Sequence, residues 1–145
     1  PVGTEDVAAF PGRIGCHEGR VLVKGEPCFG ASSHVARLIL AYMKRFPFIR
    51  ACANVRFSEE IVTRAEQRGL SVVFVDRTEE PERLKENEGK SLDFLVEKAL
   101  EGLSVPPDII YDLGDIGKEP IIRLFARDPE ELLRKMEMIR PWRTR

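Results

Sequence analysis

The feature that most constrains the fold is the alternation of strand-like runs with amphipathic helical patterns along the 145-residue chain. The clearest helical pattern begins near Ser33, where apolar residues recur at three- and four-residue steps until Phe46 and Pro47. The clearest strand is the valine-rich run over residues 70–76. Elements of these two kinds in alternation predict a layered α/β domain.

The remaining elements complete this pattern. Further strands are predicted over residues 20–23, 48–57, 108–112 and 120–125, and further helices after Ser58, Ser91 and Asp128. Residues 77–90 are dense in charge, and we interpret them as an exposed loop with one helical turn. The connection from Asp112 to Pro120 is too short for a helical crossover, so we expect an antiparallel pair there and a mixed sheet.

Length and composition predict a single domain over residues 1–145 and exclude several function classes. A net charge of −1 gives no support for nucleic-acid binding by this domain. No apolar run reaches the ~20 residues of a membrane helix, and no signal peptide is visible, so we expect a cytoplasmic location. Cys16, Cys28 and Cys52 show no CxxC spacing, and we interpret them as reduced, small apolar residues. Because the chain does not start with Met, we expect a processed chain or a fragment of a longer one, and residues 137–145 are interpreted as a solvated tail.

The first candidate site segment carries Arg13. This arginine follows Gly12 in a stretch that also contains Gly15, and the glycines allow tight turns. A guanidinium held there can grip a phosphate through two hydrogen bonds. The alternative is an ordinary surface arginine in a turn.

The second segment runs directly into a helix start. It comprises Gly30, Ala31, Ser32, Ser33 and His34. Free backbone N–H groups, two hydroxyls and the helix dipole favour phosphate binding there, and His34 could donate to that phosphate or move a proton. Ordinary helix capping by Ser32 or Ser33 is the alternative interpretation.

Two further segments place polar side chains near strand ends. Alternation puts Asn54 and Arg56 on one strand face, where an amide can read a heterocycle edge and an arginine can meet a phosphate. A loop with two glycines then holds four ionisable groups, at Asp112, Asp115, Lys118 and Glu119. Solvent-facing strand residues and a plain charged loop are the alternatives.

Taken in order, these segments resemble the ThiN family. The matching stretches are EDVAAFPGRI (residues 5–14), FGASSHVAR (29–37), ANVRFSEE (53–60) and YDLGDIGKEP (111–120). The resemblance implies a fold similar to the class II aldolase (AraD-like) group, with three α/β/α layers around a mixed, mostly antiparallel sheet. It also implies a domain that joins hydroxymethylpyrimidine diphosphate to thiazole phosphate, releasing pyrophosphate and thiamine phosphate.

The resemblance also implies residue roles and partners. Arg13 and His34 correspond to the family's catalytic pair, with phosphate roles. The other substrate- or phosphate-binding candidates are Gly30, Ala31, Ser32, Ser33, Asn54, Arg56, Asp112, Asp115, Lys118 and Glu119. No resident metal is expected, apart from Mg²⁺ that accompanies the diphosphate substrate. A fused pyrimidine kinase or helix-turn-helix DNA-binding domain is expected in the parent protein, and a homodimer is left open.

One departure from the family keeps two functions open. Family enzymes carry a further Pro-Glu-Val-Gly-like stretch with an asparagine ahead of the Arg13 motif, whereas only residues 1–4 precede Glu5 here. Regulator-type members tend to lack it. The alternative to a synthase is therefore a domain that senses thiamine phosphate without turnover. An AraD-like aldolase is a third hypothesis, but it needs a cluster of metal-binding histidines, and this chain has only His17 and His34.

Overall fold

The computed structural model describes residues 3–140, and Glu88 by its backbone alone. The strands are β1 (Ala8–Ala9), β2 (Gly15–His17), β3 (Arg20–Leu22), β4 (Cys28–Phe29), β5 (Ala51–Arg56), β6 (Val72–Phe74), β7 (Ile109–Asp112) and β8 (Ile121–Ala126). The α-helices are α1 (His34–Arg45), α2 (Glu59–Gln67), α3 (Glu82–Lys85), α4 (Glu88–Leu100) and α5 (Pro129–Ile139). Short 3₁₀ turns cover Thr4–Asp6 and Arg77–Glu79.

A mixed sheet forms the centre of the domain. Its four strands follow the order β5, β8, β7, β6. Strands β5 and β7 both pair antiparallel with β8, whereas β6 pairs parallel with β7. The antiparallel β7–β8 pair confirms the prediction from the short connection, and the sheet is mostly antiparallel as expected.

Helices cover both faces of this sheet and complete three layers. On one face α1 and α4 bury an apolar cluster around Leu38, Tyr42, Leu95 and Phe125. The Tyr42 and Phe125 rings stack with centroids 4.1 Å apart. On the other face α2 and α5 pack over a second cluster that includes Ile122. The predicted α/β/α architecture is therefore confirmed.

Most strands are shorter than the sequence predicts. The strand predicted over residues 48–57 is shortened to β5, and the valine-rich run to β6. Helix α4 is longer than predicted, since it begins at Glu88 rather than Ser91. The Asn87 side chain accepts a hydrogen bond from Lys90 N–H at 3.1 Å and so caps that helix. The segment predicted as a loop with one helical turn also contains a 3₁₀ turn and α3.

Helix α5 begins as its sequence predicts. The Asp128 carboxylate accepts from Glu131 N–H at 2.8 Å, and Pro129 occupies the first turn. Glu131 reaches back to Arg127 N–H at 2.7 Å, one residue before the N-cap contact of a standard capping box. Residues 141–145 of the predicted solvated tail lie outside the described residues. In the part that is described, no helix is long and apolar enough to cross a membrane.

The N-terminal strands form two small sheets away from the central one. Strand β1 pairs with β4, and β2 pairs with β3, both antiparallel. The β2–β3 turn places Glu18 (φ 49°) and Gly19 (φ 76°) in left-handed conformations, as a two-residue type I′ hairpin requires. We call residues 10–29 the arm, because most of its residues are exposed.

The three cysteines differ in environment. Cys16 and Cys28 are free thiols exposed on the arm. Cys52 is partly buried, and its thiol lies 3.8 Å from the Val35 carbonyl oxygen. Burial raises the pKa of the Cys52 thiol to about 12, and the nearby Arg123 opposes this shift only in part.

We expect Cys52 to resist alkylation in the folded protein. At pH 8 a thiol with so high a pKa holds almost no thiolate, which is the reactive form. Iodoacetamide should therefore leave Cys52 unmodified in native protein and modify it in urea, as read from peptide masses. Equal rates in the two conditions would contradict this placement.

Candidate active site

Three of the four predicted segments converge at one rim of the central sheet, where α1 begins, and the Arg13 segment does not. The Cys52 thiol contact with the Val35 carbonyl oxygen places the first turn of α1 over β5. Asn54 and Arg56 follow Cys52 at alternate positions, so they lie on the face that α1 and α4 cover. His34, Asn54 and Arg56 are thus on the same side of the sheet, toward the same end.

A cleft of about 320 Å³ lies between the starts of α1 and α4. Its lining residues are Ser33, His34, Arg37, Glu86, Asn87 and Gly89. Ser33 occupies the N-cap position of α1, but its side chain makes no capping hydrogen bond. The Ser33 hydroxyl is therefore not used to cap the helix, and the start of α1 forms one wall of the cleft.

The cleft is suited to anions. Both helix starts direct partial positive charge toward it, because aligned peptide dipoles are positive at helix N-termini. Arg37 adds a full positive charge from the next turn of α1. Gly89, buried in the first turn of α4, has no side chain, and a Cβ there would collide with Arg37 Nη1. The glycine thus allows the guanidinium to lie directly against the start of α4.

The loop from Asp112 to Pro120 forms another part of this rim. Asp112 accepts from Gly114 N–H at 2.7 Å, and Asp115 and Lys118 form an isolated β-bridge. Lys85 Nζ lies 2.9 Å from the Asp115 carboxylate, and this hydrogen bond lowers the pKa of Asp115. The loop is therefore held in one shape by its own contacts, as a binding loop on a rigid frame should be.

A charged network lies behind the cleft. Arg123 on β8 is fully buried, and its Nη1 donates to Asp112 Oδ2 at 2.5 Å. Burial lowers the pKa of Arg123, and Asp112 counteracts this effect. Arg123 pairs with Asn54 in the sheet register, so their side chains share a face.

The network extends to the start of α4. Arg77 and Lys118 both donate to Ser91 Oγ, at 2.5 and 3.0 Å. The buried Glu80 carboxylate lies 3.6 Å from Arg77 and 3.7 Å from Lys118. These contacts fix Lys118, a predicted site residue, next to the helix that forms one wall of the cleft.

Sequence reasoning missed Arg37, Arg77, Glu80, Ser91 and Arg123. Arg123 stands inside an apolar strand, where an uninterrupted hydrophobic run would be usual, and that anomaly was the available signal. Arg77 and Glu80 fell in a segment that we interpreted as an exposed loop, although both are buried. Charged residues are usually exposed, so nothing in the sequence indicated that these two are buried.

The remaining predicted residues have different positions. Arg13 is exposed on the arm and is not among the residues that line the cleft. Gly30 has a positive φ of 77°, and its N–H donates to the Val7 carbonyl at 3.1 Å. Ala31 and Ser32 are half-buried between the arm and α1, and Glu119 is exposed. Asp112 is buried in its ion pair rather than facing the cleft.

Gly114 gives a direct test of the loop geometry. Its φ is 79°, and a Cβ there would collide with the Lys118 carbonyl oxygen. We expect Gly114→Ala to lower the free energy of unfolding by about 1–3 kcal/mol, since strain and a backbone collision add. Gly117→Ala is the matched control, because Gly117 has a similar φ of 75° but open space around it. Equal midpoints of the two variants in urea would contradict the packed loop.

Sequence and structural comparisons identify the family. The sequence profile described as "Thiamine-phosphate synthase ThiN" matches residues 1–138. The chain belongs to the ThiN family. It is 44% identical over 132 residues to "Thiamine-phosphate synthase ThiN" of Methanothermobacter thermautotrophicus, a match that covers 91% of this chain and 70% of that protein. It is 37% identical over 140 residues to "Bifunctional thiamine biosynthesis protein ThiDN" of Methanocaldococcus jannaschii, covering 96% of this chain and 32% of that protein.

Solved structures agree with this membership. The C-terminal domain of a phosphomethylpyrimidine kinase superposes with a TM-score of 0.88 at 44% identity, covering 95% of this chain and 77% of that one. A second solved C-terminal domain gives a TM-score of 0.84 at 37% identity, covering 96% and 74%. This ThiN domain thus has the fold that the resemblance implied, and related domains form the C-terminal part of longer proteins.

Proposed function

We propose that this ThiN domain is a thiamine-phosphate synthase, which condenses hydroxymethylpyrimidine diphosphate with thiazole phosphate. The observation that carries the proposal is the cleft in which two helix starts meet with Ser33, His34 and Arg37. Both substrates bear phosphate groups, and helix N-termini with an arginine are a general solution for binding them. The names of the two curated relatives point to the same pathway.

In the proposed reaction the carbon–oxygen bond between the pyrimidine methylene and the diphosphate breaks. The diphosphate leaves with the bonding electrons, and the thiazole nitrogen donates its lone pair to the methylene carbon, forming the thiazolium. Negative charge grows on the leaving diphosphate, so hydrogen-bond donors near it lower the barrier. His34, Arg37 and the N–H groups at the start of α1 are suited to this role, with Arg13 as a further donor.

Mg²⁺ would enter as a companion of the diphosphate. Glu86 on the cleft wall provides a carboxylate, which is the kind of ligand that Mg²⁺ prefers. Among residues 3–140 with described side chains, no three of the His, Cys, Asp and Glu type come together as a metal-binding group. The bound ion would partly neutralise the diphosphate.

The rim residues are proposed as secondary ligands. Asn54 and Arg56 stand exposed on the face of β5 that leads to α1 and could contact the pyrimidine edge and the second phosphate. Lys118 is the partly exposed end of the charged network and could reach a phosphate from the loop side. We assign Asp112 a positioning role, through Arg123 and the Gly114 amide.

Incubation of the protein with both substrates tests the proposal. Thiamine phosphate should form and be detected by mass, with Asn54→Ala and Arg56→Ala each raising KM. No product from the protein, in the presence of Mg²⁺ and both substrates, would overturn the synthase assignment.

A sensing domain is the alternative, and the same preparation distinguishes it. Calorimetric titration with thiamine phosphate should give binding under either function. Binding without any product from the two precursors would favour the sensor. Absence of binding would contradict both.

A further inference from the structure

We propose that the arm of one copy of this chain packs against a second copy and places Arg13 next to the cleft of that copy. The proposal rests on the proposed function, because it assigns Arg13 and His34 to one composite site. Each site would then need two chains, and the working unit would be a symmetric dimer.

The first observation is the exposed apolar surface of the arm. Phe10, Ile14, Val21, Leu22, Val23 and Phe29 each expose between 41% and 73% of their surface. Together they present on the order of 600 Å² of apolar side chain, given that a large aromatic side chain covers ~150–250 Å². Val21 and Leu22 are successive residues of β3, so the hairpin exposes apolar side chains on both of its faces. A stable interface needs about 800 Å² from each partner. The arm supplies most of that area.

The second observation is that the arm lacks support within its own chain. Strands β2 and β3 pair with each other and make no extensive contact with any other element among the described residues. A two-stranded hairpin is marginally stable alone in water, so such an arm gains its stability from a surface on which it packs.

The third observation is the direction of the arm. In the β1–β4 ladder, Ala8 pairs with Phe29 and Ala9 pairs with Cys28. The chain leaves the ladder toward Arg13 at its Ala9 end, but toward His34 at its Phe29 end. The two predicted catalytic residues therefore depart in opposite directions, and Arg13 does not line the cleft that contains His34.

The fourth observation is an apolar surface at the rim of the cleft. Leu113 and Ile116 are 55% and 97% exposed on the loop that also carries Lys118. Apolar side chains at the tip of a binding loop are costly in water but suited to contact with the apolar arm of another copy. This surface directs the second copy to the site rather than to a remote face.

Oligomeric state is the first test. We expect the wild-type protein to sediment as a dimer, and Val21→Asp to shift it to monomer while the far-ultraviolet circular dichroism is retained. Val105→Asp is the matched control, because Val105 is 71% exposed against 72% for Val21 but lies outside the arm. A monomeric wild type, or equal effects of the two variants, would overturn the proposal.

Mixing inactive variants tests the composite site. Arg13→Ala and His34→Ala chains are unfolded together, refolded as an equal mixture and assayed. About half of the dimers would be mixed, each with one complete site, so about one quarter of the wild-type activity should return. Mixed dimers that are present but inactive would place both residues in one chain and overturn the proposal.

The proposed function can fail separately. If the wild type makes no product, the same mixture is titrated with thiamine phosphate by calorimetry. Recovery of binding in the mixture, but in neither variant alone, supports the composite site even without catalysis. No recovery overturns it.

Discussion

Replacing His34 with alanine is expected to lower kcat/KM for thiamine phosphate formation by about 10²–10³-fold. His34 stands at the first position of α1 and lines the cleft, where a donor can stabilise the departing diphosphate. The loss should fall mainly on kcat, because that charge develops in the transition state. Arg68→Ala is the control, since Arg68 is exposed at the end of α2 on the opposite side of the sheet. A His34→Ala variant with wild-type kcat would contradict the assignment.

A comparable loss of activity is expected when Arg13 is replaced. We expect Arg13→Ala to lose a similar factor and Arg13→Lys to recover only part of it. A lysine keeps the charge but not the planar fork that binds a phosphate through two hydrogen bonds. Full recovery by lysine would show that charge alone matters at this position.

The second large effect concerns the buried pair of Asp112 and Arg123. Asp112→Ala is expected to lower the free energy of unfolding by about 3–5 kcal/mol, because it leaves the fully buried Arg123 without its counter-ion. Two further nitrogens of Arg123, Nε and Nη2, have no hydrogen-bond partner among residues 3–140. Urea unfolding followed by circular dichroism measures the change.

Removing both charges should recover much of the stability that Asp112→Ala loses. An Asp112→Leu, Arg123→Met protein has no unpaired buried charge. We expect its free energy of unfolding to fall by at most half as much as that of Asp112→Ala. Its residual loss includes the hydrogen bond that Gly114 N–H donates to Asp112. Glu60→Ala is the control, since Glu60 forms an exposed pair with Arg64 that should contribute less than about 1 kcal/mol. A double variant as unstable as Asp112→Ala would contradict this electrostatic account.

Periodicity predicted the elements of this fold because each amphipathic helix covers one sheet face. The α5 start was predictable in detail, since Asp128 and Pro129 act through local geometry. The start of α4 was not, because Glu88 to Lys90 are polar and the apolar pattern begins only at Leu92. Gly89 also argued against a helix, and its reason is the Arg37 side chain that lies against it.

The candidate site was predictable in part. The polar run Ser32–Ser33–His34 at the start of α1 could be recognised from the sequence, and two of its residues, Ser33 and His34, line the cleft. Arg77, Glu80 and Arg123 could not be placed, because a buried charge is tolerated only through partners that are distant in sequence. The distance between Arg13 and His34 likewise depends on how the arm packs, and a local sequence pattern does not predict that packing.

A ³¹P nuclear magnetic resonance time course tests the synthase function most directly. Hydroxymethylpyrimidine diphosphate, thiazole phosphate and Mg²⁺ are mixed with wild-type protein and, in parallel, with His34→Ala. The account predicts that free pyrophosphate and the phosphate signal of thiamine phosphate grow together, one for one, with wild type and far more slowly with the variant. Unchanged substrate signals with the wild type, or pyrophosphate released without thiamine phosphate, would contradict it.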